Sequence, residues 1–557
     1  MVPHGRHRLA GRHRGTSSRG PKESGHLRRG PQVLSGGGRG LHQSVPGNQR
    51  VAGVRSSSPA PWRSALRRGG PSLRAMGPER AADSLRSPAV SLQGAARVHA
   101  GDRSAPDTGR QDLATSARSR RMPLMSERAL RVAILGGGPA GSALAILLCR
   151  QGAEVTLFDD GRRPELLVGE SLVPAVIPIL GRLGVEPETA SVGLVKPGVS
   201  LIWSPRDRFT FSFARFSPAV PPYAYNIPRP QFDEVLLSKA VGAGAHRVVA
   251  RARLERCAER SEGAELAMTA DTIAAAPSLR GRQPDLIVDA TGRARRAGRT
   301  LDIPVHVGPR DDIAHFAHFE GFEWSELPGL VVISRLETGW SWQIPLRDRL
   351  SVGIVLRRED AARLGGTPAE RLDRAIARTP QLTQSIGGAK RVTSVATYTN
   401  YQLISARAHG PGWVTVGDAF GFIDPMLSPG VFLALRSAEM VADALRPFSE
   451  RPDITRPAEL SSALRPYVSD HRRALTAWME LVDSLYDGRM LALMRAGHDW
   501  MRERSGALTS VLQGHIERRL ALQATGVGTN SRYSRLLLRF LGRHGLRGLE
   551  RADFAIR

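Results

Sequence analysis

A glycine-rich turn between an apolar strand and an apolar helix constrains the fold more than any other part of this sequence. Gly136, Gly138 and Gly141 form the pattern G-x-G-x-x-G between a strand predicted over 132–135 and a helix predicted over 139–150. In such a unit the first glycine permits the tight turn, the second lets the backbone approach a pyrophosphate, and the third lets the helix pack against the strand. The turn therefore predicts a phosphate-binding βαβ unit in an α/β fold.

The residues that flank the turn fit a dinucleotide. Pro139 and Ala140 begin the helix, where free N–H groups and the helix dipole favour phosphate. A second strand, predicted over 154–158, ends at Asp159, which follows Gly138 by 21 residues. An acid at that position can accept a hydrogen bond from a ribose hydroxyl. These features together predict a Rossmann-like dinucleotide-binding domain, and a glycine turn with a purely structural role is the alternative.

The same region carries a long uncharged run, 132–149, whose 18 residues approach the length of a membrane span. Three consecutive glycines and a proline stand in its middle and would break a continuous helix. We therefore expect a strand and a helix in place of a membrane segment, and no membrane partner.

Charge is distributed unevenly along the chain. The formal net charge is +27, of which residues 1–124 contribute +17, residues 125–500 contribute +3 and residues 501–557 contribute +7. Residues 1–124 contain no Phe, Tyr or Ile, so they cannot bury enough apolar surface to offset the entropy of ordering, and we predict a disordered basic tail. The tail is similar in composition to a transit peptide; alternatively, the native chain starts at Met122 or Met125. Because the basic excess is confined to the ends, we expect no nucleic-acid partner.

Few residues suit disulfide or metal chemistry. Cys149 and Cys257 are the only cysteines, which excludes a disulfide scaffold and a multi-cysteine zinc site and fits a reducing, cytoplasmic compartment. His306, His315 and His318 lie close together in sequence, but no metal-binding motif accompanies them. We therefore predict no metal site.

Three further segments resemble one superfamily of flavoenzymes. A short strand ends at Gly417-Asp418, a second strand-end motif occupies 288–293, and a Tyr-Asn-Ile-Pro-Arg segment occupies 225–229. With the glycine-rich turn, these segments are similar to the FAD-dependent monooxygenases and halogenases over about 131–445.

The resemblance implies a domain organisation and an FAD site. It implies an FAD-binding domain interleaved with a mixed β-sheet substrate domain over 125–445, followed by a helical C-terminal region over 446–557. The apolar faces of 474–485 and 535–541 independently predict helices in that region. The resemblance also implies that the Asp418 carboxylate binds the flavin ribityl chain. The other positions that match FAD-binding segments of the family outside the βαβ unit are Glu170, Arg229, Gly430 and Val431.

One strand narrows the resemblance to a single branch. Residues 340–345 have the pattern W-x-W-x-I-P, which resembles the signature of the flavin-dependent halogenases. In that family the two tryptophans, here Trp340 and Trp342, fill the region beside the flavin and keep organic substrate away from it. An alternating strand that packs its tryptophans on one face of a sheet is the simpler interpretation, and both can hold.

Lysine is scarce in the part of the chain that we expect to fold. Residues 125–557 contain only Lys196, Lys239 and Lys390, and Lys196 follows the Gly-Glu-Ser segment 169–171 in the order typical of halogenases. The resemblance implies a catalytic amine there, because Arg stays protonated whereas a desolvated Lys can lose its proton or hold hypohalous acid. The resemblance further implies that the enzyme uses oxygen, halide and reduced FAD, and that a separate flavin reductase supplies the reduced FAD.

The segment 422–430 matches the family's halide-binding pattern, with Ser428 and Gly430 at the halide positions. Pro429 departs from the pattern, because proline has no N–H to offer a halide. Leu427 stands where tryptophan halogenases carry a glutamate, so we expect an aromatic substrate of the phenol or pyrrole type, free or attached to an acyl or peptidyl carrier protein. A flavin monooxygenase or a geranylgeranyl-reductase-like oxidoreductase on the same scaffold is the alternative function.

Overall fold

A computed structural model of the chain describes residues 129–257, 264–399, 402–450, 456–503, 507–545 and 550–556. These residues all belong to one compact unit. The basic tail that we predict over 1–124 lies outside the described residues.

Strands and helices alternate along the described chain. The strands are β1 (Arg131–Leu135), β2 (Glu154–Phe158), β3 (Leu194–Lys196), β4 (Gly198–Ser204), β5 (Asp207–Ser212), β6 (Ala224–Asn226), β7 (His246–Val248), β8 (Leu254–Arg256), β9 (Leu266–Met268), β10 (Leu286–Asp289), β11 (Val305–Val307), β12 (Asp312–Glu320), β13 (Val331–Arg335), β14 (Trp340–Pro345), β15 (Leu350–Arg357), β16 (Lys390–Arg391), β17 (Ala396–Thr399), β18 (Leu403–Ser405), β19 (His409–Gly410), β20 (Trp413–Thr415) and β21 (Gly421–Phe422). The helices are α1 (Pro139–Arg150), α2 (Ile177–Leu183), α3 (Glu186–Val192), α4 (Arg229–Gly242), α5 (Ala270–Ala274), α6 (Arg296–Thr300), α7 (Arg358–Leu364), α8 (Pro368–Arg378), α9 (Pro380–Ile386), α10 (Gly430–Glu450), α11 (Pro457–Ala463), α12 (Arg465–Tyr486), α13 (Arg489–Glu503), α14 (Ala507–Ala524) and α15 (Arg532–His544).

The first sheet has the strand order β7-β2-β1-β10-β20-β19. Its pairs are parallel from β7 to β20, and only the short edge strand β19 runs antiparallel. Strands β2 and β10 flank β1 on its two sides, and each follows its preceding strand in the sheet through a long connection, so the strand order reverses at β1. In open α/β sheets, ligands bind at such a point. The Rossmann-like domain is confirmed.

The second sheet has the order β16-β12-β15-β14-β13-β4-β5. Strand β17 also pairs with β12, along residues 313–316, whereas β16 pairs with residues 319–320. Its pairs are antiparallel except for β13 and β4, which run parallel. The chain enters this sheet after β2, returns to the first sheet for β7 and β10, and then completes the second sheet. The interleaved mixed sheet is therefore confirmed.

Helix α1 explains the uncharged run of the sequence. Its residues from Ala140 to Leu148 are buried on every face, because the first sheet covers one side and α4 and α10 pack against the others. A helix that is apolar all round is buried in a core or in a membrane, and here it lies in the core. Among the described residues, no helix is both long and apolar enough to cross a membrane.

The C-terminal region is helical, as predicted. Helix α12 contains the segment predicted over 474–485 and α15 the segment predicted over 535–541, and both extend further. The predicted boundary after residue 445 falls inside α10, which is continuous over Gly430–Glu450. The division into domains remains a prediction.

Candidate active site

A cavity of about 600 Å³ opens at the carboxyl ends of β1, β2 and β10, and we call it the main cavity. The buried face of β14 and the start of α10 complete its walls. Apart from Gly141, every residue that the sequence assigns to the flavin, to the tryptophan motif or to the halide lines it; these are Gly136, Gly138, Pro139, Ala140, Asp159, Glu170, Arg229, Trp340, Trp342, Asp418, Ser428, Gly430 and Val431.

The glycine turn has the geometry of a phosphate cradle. Gly136 has φ +110°, and a Cβ there would lie 2.4 Å from the Ala290 carbonyl oxygen. A Cβ on Gly141 would lie 2.0 Å from the Gly136 carbonyl oxygen, which explains why Gly141 packs inside the turn and does not reach the cavity. A Cβ on Gly138 would meet nothing within 4 Å, so this glycine borders open space at the N-terminus of α1. A diphosphate fits that space and the adjacent N–H groups.

Asp159 ends β2 at the edge of the main cavity, where the sequence places a ribose-binding acid. Its carboxylate accepts a hydrogen bond from Arg247 at 2.9 Å and lies 3.5 Å from the Arg163 guanidinium. The two arginines hold the carboxylate in place, and their charge also suits the phosphates of a dinucleotide.

Two arginines lie close to the partly buried carboxylate of Asp418. Arg229 begins α4 and donates to both oxygens of Asp233, at 3.0 and 3.2 Å, and to the Val168 carbonyl. Burial raises the pKa of Asp418 to about 6, and the positive charges of Arg229 and Arg293 act in the opposite direction. The two nearby cations favour the charged form of this carboxylate, and a charged carboxylate can accept hydrogen bonds from the hydroxyls of a polyol chain.

The two tryptophans of β14 lie on the strand face that borders the main cavity. Trp340 and Trp342 are both buried, with ring centroids 5.8 Å apart. The Trp340 ring nitrogen donates to the Tyr486 hydroxyl at 2.7 Å, and that of Trp342 lies 3.3 Å from the Ser351 hydroxyl. The rings pack in the sheet, as the simpler interpretation of the motif requires, and they also line the main cavity.

Lys196 does not reach the main cavity. It lines a separate apolar space, the lysine cavity, which lies beneath α13 and α14. Lys196 Nζ donates to the Ser171 hydroxyl at 2.8 Å and to the Leu172 carbonyl at 2.9 Å, and burial lowers its pKa to about 7. Ser171 itself lines the main cavity, and Val331, Ile333 and Ser428 line both spaces. The amine therefore lies in the wall between the two cavities.

The predicted halide segment is a strained loop before α10. Leu427 and Ser428 have φ values of +65° and +60°, which residues with a side chain rarely adopt. The Ser428 N–H donates to the Pro425 carbonyl at 2.9 Å, and Pro429 has no N–H. The amides at the start of α10, beginning with Gly430, remain the nearest donors for an anion.

Restoring the missing donor should therefore strengthen halide binding. We expect Pro429→Ala to lower the chloride concentration for half-maximal halogenation about 10-fold, because one added N–H bond to an anion contributes about 1.5 kcal/mol. Chloride titration under saturating substrate measures the change, and Pro368→Ala at the start of α8 is the matched control. Identical chloride dependence in all three proteins would show that the halide binds elsewhere.

Sequence reasoning missed a buried chain of hydrogen bonds beside the halide segment. The Asp424 carboxylate accepts from the Tyr486 hydroxyl at 2.8 Å, and this hydroxyl in turn accepts from Trp340. The Arg310 guanidinium lies 3.1 Å from the centre of the Tyr486 ring. Burial raises the pKa of Asp424 to about 6. No local pattern announces this chain, because its members come from β14, α12 and two loops.

Two of the three histidines that lie close together in sequence contact other side chains. His318 binds Glu170, and His315 lies 2.9 Å from the Thr397 hydroxyl. Within the described ranges, no group of three or more His, Cys, Asp or Glu side chains could hold a metal ion.

The main cavity fits FAD as the sequence predicts. Open space at Gly138 could take the diphosphate, and the carboxylates of Asp159 and Asp418 could accept hydrogen bonds from the ribose and the ribityl chain. The tryptophan face of β14 supplies a flat apolar wall for a ring system.

Comparison with known proteins supports this assignment. The family model described as tryptophan halogenase matches residues 131–222 and 218–456. A tryptophan 2-halogenase of Chondromyces crocatus is 30% identical over 367 residues, which are 64% of this chain and 68% of that protein. A chlorinase of a 1H-pyrrole-2-carbonyl group on a peptidyl-carrier protein, from Pseudomonas fluorescens, is 24% identical over 398 residues, 65% of this chain and 84% of that protein. The solved structure of the flavin-dependent halogenase CmlS is 27% identical with a TM-score of 0.54, and the match covers 65% of each chain.

Proposed function

The chain belongs to the tryptophan halogenase family of FAD-dependent enzymes, and we propose that Lys196 delivers the halogen to a neutral, electron-rich aromatic ring. The observation that carries this proposal is the position of the Lys196 amine, which is buried between the main cavity and the lysine cavity. When bound, reduced FAD supplies the oxygen chemistry that converts halide to hypohalous acid. The one glycine-rich βαβ unit would hold FAD, so a separate flavin reductase supplies the electrons.

The chemistry that we propose for Lys196 depends on its protonation. The neutral amine attacks the halogen of hypohalous acid; an N–halogen bond forms, the halogen–oxygen bond breaks, and the oxygen leaves as water with the displaced amine proton. The ring carbon then takes the halogen and loses its proton, which restores the amine. The protonated amine could only hold hypohalous acid by hydrogen bonding.

The pH profile separates these two modes. Burial lowers the pKa of Lys196 to about 7, so the neutral fraction rises as the pH increases through 7. We expect the single-turnover rate of ring halogenation to rise about 10-fold from about pH 6 to a plateau above about pH 8. Lys239→Ala should keep this profile, because Lys239 is partly exposed in an ion pair with Glu188. A rate that falls across this interval would favour the hydrogen-bonding mode.

The walls of the lysine cavity favour a neutral ring over a free amino acid. Among its described lining residues Lys196 is the only charged one, and the apolar walls include Phe211, Phe213, Met490 and Leu520. The ammonium of free tryptophan would find no carboxylate among these lining residues, and unpaired buried charges are costly. The substrate class proposed for this chain therefore differs from the tryptophan named for its relative from Chondromyces crocatus.

The lysine cavity is small in this structure. Its volume of about 50 Å³ is below the roughly 150 Å³ of an engineered cavity that binds benzene. We propose that the ring enters as α13 and α14 move apart, since Met490 and Leu520 belong to this part of the wall.

A substrate comparison tests the proposal. We expect halogenated product from a phenol or a pyrrole-2-carbonyl probe, with reduced FAD, oxygen and bromide or chloride, and none from free tryptophan. Halogenated tryptophan as the main product would overturn the substrate class, whereas hydroxylated product without halogen would favour a monooxygenase.

Attachment of the ring to a carrier protein is the finer proposal. It is supported by the relative that acts on a carrier-bound pyrrole and by the net charge of +7 over 501–557. Arg535 and Arg539 are not available as a pair for an acidic partner, because both bind Glu480 at 2.6 and 2.5 Å. A higher kcat/KM for the carrier-bound probe than for the free ring would support the proposal.

We also propose a cytoplasmic location, which the unpaired Cys149 and Cys257 favour.

A further inference from the structure

A buried acid–base pair lies in the wall of the main cavity, outside the halogen-transfer chemistry. His318 Nε2 lies 2.8 Å from Glu170 Oε1, and only about one twentieth of either side chain is exposed. His318 belongs to β12, whereas Glu170 lies in the segment between β2 and α2, so the pair joins two distant parts of the chain. A buried ionisable pair is costly unless its contacts are well satisfied.

The pair connects two cavities. Glu170 lines the main cavity, and His318 lines a second space of about 360 Å³, which we call the outer cavity. The outer cavity has a polar lining that includes Arg347, Asp348 and Arg349. Of all described residues, none lines both cavities, so the Glu170–His318 contact bridges them directly.

Charges from neighbouring elements act on both members of the pair. Asp348 and Arg349, in the turn between β14 and β15, interact electrostatically with His318 and Glu170 respectively. Glu165, on the segment before Glu170, also borders the outer cavity. The surroundings thus place a negative group near the imidazole and a positive group near the carboxylate.

The overall reaction consumes one proton. For a ring R–H and a halide X⁻, the balance is RH + FADH₂ + X⁻ + O₂ + H⁺ giving RX + FAD + 2 H₂O. A carbon–hydrogen bond is replaced by a carbon–halogen bond, oxygen is reduced to water, and reduced FAD is oxidised. One proton per turnover must therefore enter the main cavity from solvent.

We propose that Glu170 and His318 relay this proton from the outer cavity to the main cavity. His318 Nδ1 accepts a proton from water in the outer cavity while Nε2–H passes its proton to Glu170 Oε1, and the carboxylic acid releases it into the main cavity. A flip of the imidazole ring restores the starting tautomer. The inference rests on the proposed function, and both residues are positioning and proton-transfer groups distinct from Lys196.

Chemical rescue tests the relay. In His318→Ala, we expect proton uptake during oxidation of enzyme-bound reduced FAD to slow on the order of 10²-fold. A pH-indicator dye follows this uptake with oxygen and halide present and organic substrate absent, so that FADH₂ + O₂ + X⁻ + H⁺ gives FAD + HOX + H₂O and one proton is consumed. Added imidazole should restore the rate saturably, because the outer cavity adjoins the vacated position. Imidazole should leave the FAD affinity and the thermal stability of the same His318→Ala sample unchanged.

Two further variants keep the test decisive. His318→Gln can still hydrogen-bond Glu170 but cannot carry a proton, so we expect it to fold, to bind FAD and to stay slow. His315→Ala removes another buried histidine of β12, one that faces Thr397 and Arg371, and should not respond to imidazole. A wild-type rate in His318→Gln, or no rescue of a His318→Ala protein that binds FAD, would overturn the relay. Because proton uptake is read without substrate, a failure of ring halogenation would be seen separately.

Discussion

Replacing Lys196 with alanine is expected to lower the rate of ring halogenation on the order of 10³-fold while FAD still binds. The substitution removes the only charged side chain among the described residues of the lysine cavity, and no other amine can receive the halogen there. FAD affinity should be little changed, because Lys196 does not line the main cavity. Product analysis by mass spectrometry, with FAD binding measured by fluorescence, checks both parts.

The control for this variant is Lys390→Ala, which removes an exposed lysine in the edge strand β16. It should halogenate at the wild-type rate. If Lys196→Ala retained more than about a tenth of the activity, the amine would be dispensable, and hypohalous acid would have to reach the ring without passing the lysine. Lys196→Arg distinguishes charge from chemistry, since a guanidinium keeps the charge but is not a nucleophile.

Gly138→Ala is expected to weaken FAD binding roughly 100-fold, which corresponds to the loss of about two hydrogen bonds to a charged group. A Cβ at this position meets nothing within 4 Å in the folded chain, so the protein should fold normally. The new methyl group would instead occupy the space that borders the phosphate cradle. Fluorescence titration of the purified protein with FAD measures the loss, and circular dichroism confirms the fold.

Gly242→Ala is the matched control for the turn variant. Its Cβ would also meet nothing within 4 Å, and the position lies at the end of α4, where alanine is favoured over glycine by up to about 1 kcal/mol. We expect native FAD affinity and equal or higher thermal stability. Native FAD affinity in Gly138→Ala would place the diphosphate away from the turn.

Local patterns in the sequence predict much of the first domain. The strands and helix predicted over 132–135, 139–150 and 154–158 correspond to Arg131–Leu135, Pro139–Arg150 and Glu154–Phe158 in the structure. Their apolar runs and the glycine turn are each set within a few residues, so no distant contact is needed to recognise them. Helix α12 begins before its prediction, because the charged residues Asp470, Arg472 and Arg473 interrupt the apolar pattern that Tyr467 and Val468 begin. Helix α15 extends its predicted segment into polar residues at both ends.

Short segments of the sequence are enough to specify the chemistry that the site can hold. The glycine turn, the Gly-Asp pair at Asp418, the tryptophan strand and the isolated Lys196 are local signals, because each depends on the conformation or reactivity of a few neighbouring residues. Together these signals indicate a dinucleotide site and a reactive amine.

The spatial arrangement of these residues is a property of the tertiary structure. Folding places Lys196 in the wall between the main cavity and the lysine cavity. It also brings Glu170 to His318 across 148 residues and Asp424 to Tyr486 across 62 residues. Such contacts form where separate elements pack, so their energy depends on the whole fold and leaves no pattern in the local sequence.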